Sequence, residues 1–106
     1  MGPSSVYEIF SVRGRRALVT GGSAGLGRAM AEALVEGGAQ VAIAARSDRV
    51  YEAAEEMGSV ALQVDLADRE QARALVDRAV EALGGLDILV NDAGVQIRHG
   101  AEAFPL

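Results

Sequence analysis

Lysine is missing from this chain: all ten of its cationic side chains are arginine. Tyrosine occurs only as Tyr7 and Tyr51, and histidine only as His99, so few groups are available for acid–base chemistry. Cysteine is absent as well, which excludes a disulfide, a thiolate metal site and a cysteine nucleophile. Two prolines stand against thirteen glycines, a balance that suggests tight turns rather than low-complexity linkers. A basic excess is also lacking. The formal charge of −5 argues against a nucleic-acid surface, which needs clustered cations. No apolar run approaches the roughly 20 residues of a membrane span. Acidic Glu8 and the want of a long apolar stretch near the start argue against a secretory signal, and Gly2 followed by Pro3 is a poor acylation site. These features fit a cytoplasmic address.

What remains is a half-apolar composition over 106 residues, which suits a single compact domain spanning 1–106 with an irregular lead-in over 1–14. The run Arg16–Thr20, halted by Gly21-Gly22, reads as a short buried strand. Leu26, Met30, Ala33, Leu34 and Gly37 then fall on one helical face ending at Gly37-Gly38. The pattern repeats with a strand at Val41–Ala45 and a helix capped by Ser47, burying Val50, Ala53, Ala54 and Met57 and closed by Gly58. Val60, Leu62 and Val64 predict a third strand. Asp68 with Gln71 has capping-box spacing before a helix burying Ala72, Leu75, Val76, Ala79, Val80 and Leu83, which Gly84-Gly85 ends. Ile88–Val90 predicts a fourth strand, with Asn91-Asp92-Ala93-Gly94 as the loop leaving it.

Four strands alternating with three helices predict an α/β fold: a Rossmann-type doubly wound parallel sheet of order 3-2-1-4 with right-handed crossovers. The first two helices are expected on one face and the third on the other. Ligands of such sheets bind beyond the carboxyl ends of the strands where the winding reverses, here beside 21–27 and 91–94.

At that place Thr20 is followed by Gly21, Gly22, Ser23, Ala24, Gly25, Leu26 and Gly27, and a helix opens directly. Glycine permits positive φ and lets a ligand approach the backbone, while the helix amino end presents N–H groups and a positive dipole to a pyrophosphate. The alternative is that these glycines merely shape a turn. An ordinary turn needs one glycine rather than four in seven residues, so the ligand-binding reading is preferred.

The Thr-Gly-x-x-x-Gly-x-Gly of 20–27, the Asp65-Leu66 pair after the third strand and Asn91-Asp92-Ala93-Gly94 after the fourth resemble the short-chain dehydrogenase/reductase family, in its order and spacing over residues 11–106. The resemblance implies a cofactor site formed by Gly21, Ser23, Ala24, Gly25, Leu26, Gly27, Arg46, Asp65, Leu66, Asn91, Ala93 and Gly94, and hydride transfer between a nicotinamide and a carbonyl or alcohol. Asp92 departs from the family's second asparagine and brings negative charge near the cofactor. The family's serine and Tyr-x-x-x-Lys lie well past the fourth strand, and no residue here fills the lysine's role. The 106-residue chain is therefore expected to bind cofactor without turnover, as the N-terminal portion of such an enzyme. Phe10-Ser11, Gly94–Arg98 and Phe104–Leu106 resemble gluconate and deoxygluconate dehydrogenases within the family, with Arg98 placed to meet a sugar-acid carboxylate.

An NAD site puts an acid at the end of the second strand to bind the ribose 2′-OH. Here Ala45 and Arg46 stand there, and a guanidinium suits the 2′-phosphate of NADP, with Ser23 as a further donor. Ala24 stands where many NADP-using relatives carry a second cation, and Arg46 as a solvated strand-end arginine would leave NAD as the alternative. His99 has no evident orienting partner and reads as a surface histidine, and Asp68, Glu70 and Asp77 as a helix cap and solvated face. Asp65 is open between a cofactor contact and a turn acceptor. Two rival functions remain: a non-catalytic nucleotide-binding or regulatory module, and an S-adenosylmethionine methyltransferase, which Arg46 in place of an acid contradicts. The partners expected are the dinucleotide, a small-molecule substrate for the longer enzyme, and further copies of the chain through an uncovered fourth strand; no nucleic acid, membrane or metal is expected.

Overall fold

A computed structural model describes residues 11–91 and 94–97. Its elements in chain order are β1 (Arg16–Thr20), α1 (Gly25–Glu36), β2 (Gln40–Ala45), α2 (Arg49–Met57), β3 (Val60–Gln63), α3 (Arg69–Leu83), β4 (Ile88–Asn91) and β5 (Gly94–Ile97). The sheet order is β3-β2-β1-β4-β5. The first four strands are parallel, and the winding reverses between β1 and β4 as expected.

Side chains alternate across the strands, and the alternation sorts the core into two layers. Ala17, Val19, Val41, Ile43, Ile88 and Val90 pack with Ala31 of α1 and Val50, Ala53 and Ala54 of α2. Leu18, Ala42, Ala44, Leu62 and Leu89 pack on the other face with Leu75 and Ala79 of α3 and with Leu86. Burial on both faces explains why these strands read as unbroken apolar runs. Leu18 and Leu89 are wholly buried, so the α3 face is not left bare at its centre.

Three expectations need correction. The inward face of α1 is Met30, Ala31, Leu34 and Val35, whereas Leu26 and Ala33 are exposed. The 3.6-residue stripe counts from Gly27, because Leu26 in the first turn points into solvent beyond the sheet. Ser47 sits one residue outside the formal cap of α2: its Oγ accepts from Arg49 N at 3.2 Å, while Asp48 makes no side-chain cap. The fourth strand is also not left uncovered. β5 pairs antiparallel with it, with Asn91 opposite Gly94. A two-residue connection permits only this direction, since a parallel return needs a crossover of a dozen residues.

The helix ends follow from local chemistry. Asp68 caps α3 by accepting from Glu70 N at 3.0 Å and Gln71 N at 3.3 Å. Gly58 and Gly84 close α2 and α3 in the left-handed conformation. At the amino-terminal end of the sheet, Arg16 ties β1 to the approach to β4. Its Nε donates to Asp87 Oδ2 at 3.2 Å and its Nη1 to Gly84 O at 2.9 Å, at the negative end of α3. Burial pushes the Asp87 carboxyl up, but the backbone N–H and guanidinium of Arg16 outweigh it and hold it below the usual range.

Candidate functional site

The parallel strands bring three loops and one strand end to the same end of the sheet: 21–24 after β1, 46–48 after β2, 64–68 after β3 and the end of β4 at Asn91. Two hydrogen bonds tie the first loop down. Thr20 Oγ1, buried, donates to Val90 O at 3.4 Å across the reversal point, and Gly21 N donates to Ala44 O at 2.7 Å. The Gly21 N–H is thus committed to the sheet rather than directed at a ligand.

The glycines then divide by what surrounds them. A Cβ on Gly22 would meet Ile43 Cγ2 at 2.6 Å, and one on Gly27 would meet the Gly21 carbonyl group, its carbon at 2.8 Å. These two positions allow helix, turn and strand to pack closely. Gly25 differs: its φ is +60°, and a Cβ there would meet nothing within 4 Å. The loop is therefore open over Gly25 and closed beneath Gly22 and Gly27.

The amino end of α1 begins after Ala24, an extended residue with no side-chain cap, and no acid occurs in the first turn. Its N–H groups and dipole are available to an anion. Arg28, also in the first turn, is a cation at the positive end of a helix. Its guanidinium pairs with Glu56 at 3.3 Å and Glu32 at 3.4 Å, which offsets that placement and holds it charged.

Around this opening, Ser23 is half-buried, Ala24 and Arg46 are exposed, and Leu26 is 77% exposed. No carboxylate among the described residues lies within ion-pair distance of Arg46. Its carbonyl accepts from Gln63 Nε2 at 3.0 Å. Asp65 serves a turn: its Oδ1 accepts from Ala67 N at 3.0 Å, and its N–H donates to Gln71 Oε1 at 2.8 Å. Leu66 beside it is exposed. Asn91 ends β4, half-buried, and Gly94 opens β5. Ala93, Asp92, Arg98 and His99 lie outside the described residues.

Sequence reasoning passed over Gln63 and treated Gln71 only as a capping partner. Gln71 bridges two turns, because its Nε2 also donates to Asp68 Oδ2 at 3.3 Å. The spacing Asp65, Asp68, Gln71 was the available signal. A hollow of about 300 Å³ between α1 and α2 is lined by Glu32, Val35, Glu36, Glu56 and Met57. Its carboxylates would repel phosphate. No group of three or more potential metal ligands occurs among the described residues, and no helix among them is long and apolar enough to cross a membrane.

The same arrangement occurs in known proteins. The family model described as short chain dehydrogenase matches residues 15–105. A rhamnolipids biosynthesis 3-oxoacyl-(acyl-carrier-protein) reductase of Pseudomonas aeruginosa is 38% identical over 95% of the chain, which spans 41% of that relative. The crystal structure of the TT0495 protein of Thermus thermophilus superposes with a TM-score of 0.69 at 54% identity, over 82% of this chain and 35% of that one. A short chain dehydrogenase of Burkholderia cenocepacia, solved in complex with NADP, gives 0.71 at 44% identity over 76% of this chain and 36% of that one. The chain thus spans 35–41% of the length of these three relatives. On the family match, the sheet order and the glycine loop, this chain belongs to the short-chain dehydrogenase family.

Proposed function

We propose that these residues form the cofactor-binding half of an NADP-dependent oxidoreductase acting on a carbonyl/alcohol pair. The carrying observation is the open backbone at Gly25 beside an uncapped helix end, with Arg46 unpaired by any described carboxylate at the end of β2. This donor set fits a dinucleotide: the amino end of α1 would hold the pyrophosphate and Arg46 the 2′-phosphate, with Ser23 beside it. Leu66 and Asn91 would border the adenine and nicotinamide sides. The bound nicotinamide supplies the hydride; the chain's own part is to hold and orient it. The NADP complex of the Burkholderia cenocepacia neighbour supports the cofactor class. The sugar-acid resemblance rests in large part on residues outside the described ones, Phe10, Arg98 and Phe104–Leu106, so the substrate is proposed no more narrowly.

Titration with NADPH and NADH by fluorescence tests this reading, with tighter NADPH binding expected. Arg46→Asp should reverse the preference, removing a charge-assisted contact of about 1.5–3 kcal/mol. Equal affinities in the parent chain would overturn the NADP assignment.

The 106 residues contain no lysine to accompany a catalytic tyrosine, and exposed Tyr51 sits on α2. We therefore expect no turnover from this chain alone on a panel of ketones and sugar acids. Substrate-dependent NADPH consumption above a protein-free blank would refute that.

A further inference from the structure

Arg46 stands one residue past the end of β2, where the strand ladder gives out. The last backbone bond between the neighbouring strands runs from Val64 N to Ala45 O at 2.9 Å. The next carbonyl, that of Arg46, accepts from a side chain instead: Gln63 Nε2 at 3.0 Å. Gln63 is well placed for this, since its Cα pairs in register with Ala45. The backbone of Gln63 is itself held, its carbonyl accepting from Arg78 Nη1 of α3 at 3.0 Å. A connection therefore runs from α3 through the end of β3 to the backbone of Arg46.

We propose that Gln63 is a positioning residue for cofactor discrimination, its side-chain amide fixing the Arg46 peptide so that the guanidinium faces the ribose 2′-phosphate. The inference rests on the reading of Arg46 as the phosphate ligand. Arginine has many rotamers, and a bidentate contact with phosphate needs its base held in one orientation. Without the Gln63 bond the Arg46 peptide can rotate, and the preference for the phosphorylated cofactor weakens. Binding of the shared parts of NADPH and NADH, held by α1 and the glycine loop, stays the same.

The test measures dissociation constants for NADPH and NADH in the parent chain, Gln63→Met, Arg46→Ala and the double variant. Methionine keeps the length of glutamine and removes the donor. Gln63→Met should weaken NADPH roughly 3- to 10-fold and leave NADH unchanged, and should add nothing once Arg46 is alanine. The ratio of the two constants is the readout, because partial unfolding scales both equally. If Gln63→Met binds neither cofactor, Gln63→Asn, one methylene short of the carbonyl, is read by the same ratio. A ratio unchanged by Gln63 variants but lost in Arg46→Ala overturns the role of Gln63 alone. A ratio unmoved by Arg46→Ala overturns the phosphate assignment, and this inference falls with it.

Discussion

A methyl group added at Gly25 and one added at Gly27 would meet opposite surroundings. At Gly27 it would run into the Gly21 carbonyl, backbone against backbone, with no flexible side chain to give way. At Gly25 it would enter open space, and only the left-handed φ of +60° would oppose it. Gly27→Ala should therefore cost about 2–3 kcal/mol of stability, and Gly25→Ala about 1 kcal/mol. Cofactor affinity should follow another order: Gly25→Ala intrudes where a phosphate would sit and should weaken NADPH more than its stability loss accounts for. Urea melts paired with NADPH titrations separate the two, and equal effects from both variants would contradict this division. Sequence alone singles out the glycine loop and Arg46 as candidates, because both depend on residue type at a fixed distance from an apolar run. It could not identify Gln63, whose bond to Arg46 O spans 17 residues and exists only once β2 and β3 are in register.

Elements were largely readable from periodicity, and the misses share a cause. Leu26 and Gly27 are neighbours, and only the position of the sheet decides which of them starts the buried stripe of α1. Gly94–Ile97 begins on the last residue of an Asn-Asp-Ala-Gly that reads as a loop; its strand state depends on the edge that β4 offers. The Arg16–Asp87 pair joins residues 71 positions apart and left no local trace. Its consequence is a pH dependence. The Asp87 carboxyl titrates lower folded than unfolded, so its contribution is complete at neutral pH and is lost as pH falls through the carboxylate range. Both partners are partly solvated, at 37% and 22% side-chain exposure, so the effect is small, about 0.5–1 kcal/mol. Asp87→Asn should be less stable than the parent at pH 7, and the gap should narrow toward pH 3. Denaturant melts at both values check this; a gap constant with pH would mean that charge contributes nothing.

For the molecule as a whole, the outer edges of the sheet are β3 and β5, four residues each. Short edges limit pairing with another chain but do not abolish it, and Val60 on β3 is 37% exposed. Weak self-association is expected in sedimentation velocity across a concentration series, and a strictly monomeric species at all concentrations would argue against it. The central position of β1 has a further consequence, for the order in which the protein can become functional. Its two partners come from residues 40–45 and 88–91, and Thr20 finds Val90 across 70 intervening positions. During synthesis the glycine loop leaves the ribosome early, yet its bond to Val90 cannot form until the fourth strand has emerged. Completion of the strand that supports the loop is then a late event, and a nascent chain arrested before residue 88 would carry the whole glycine motif with one side of that strand still unpaired.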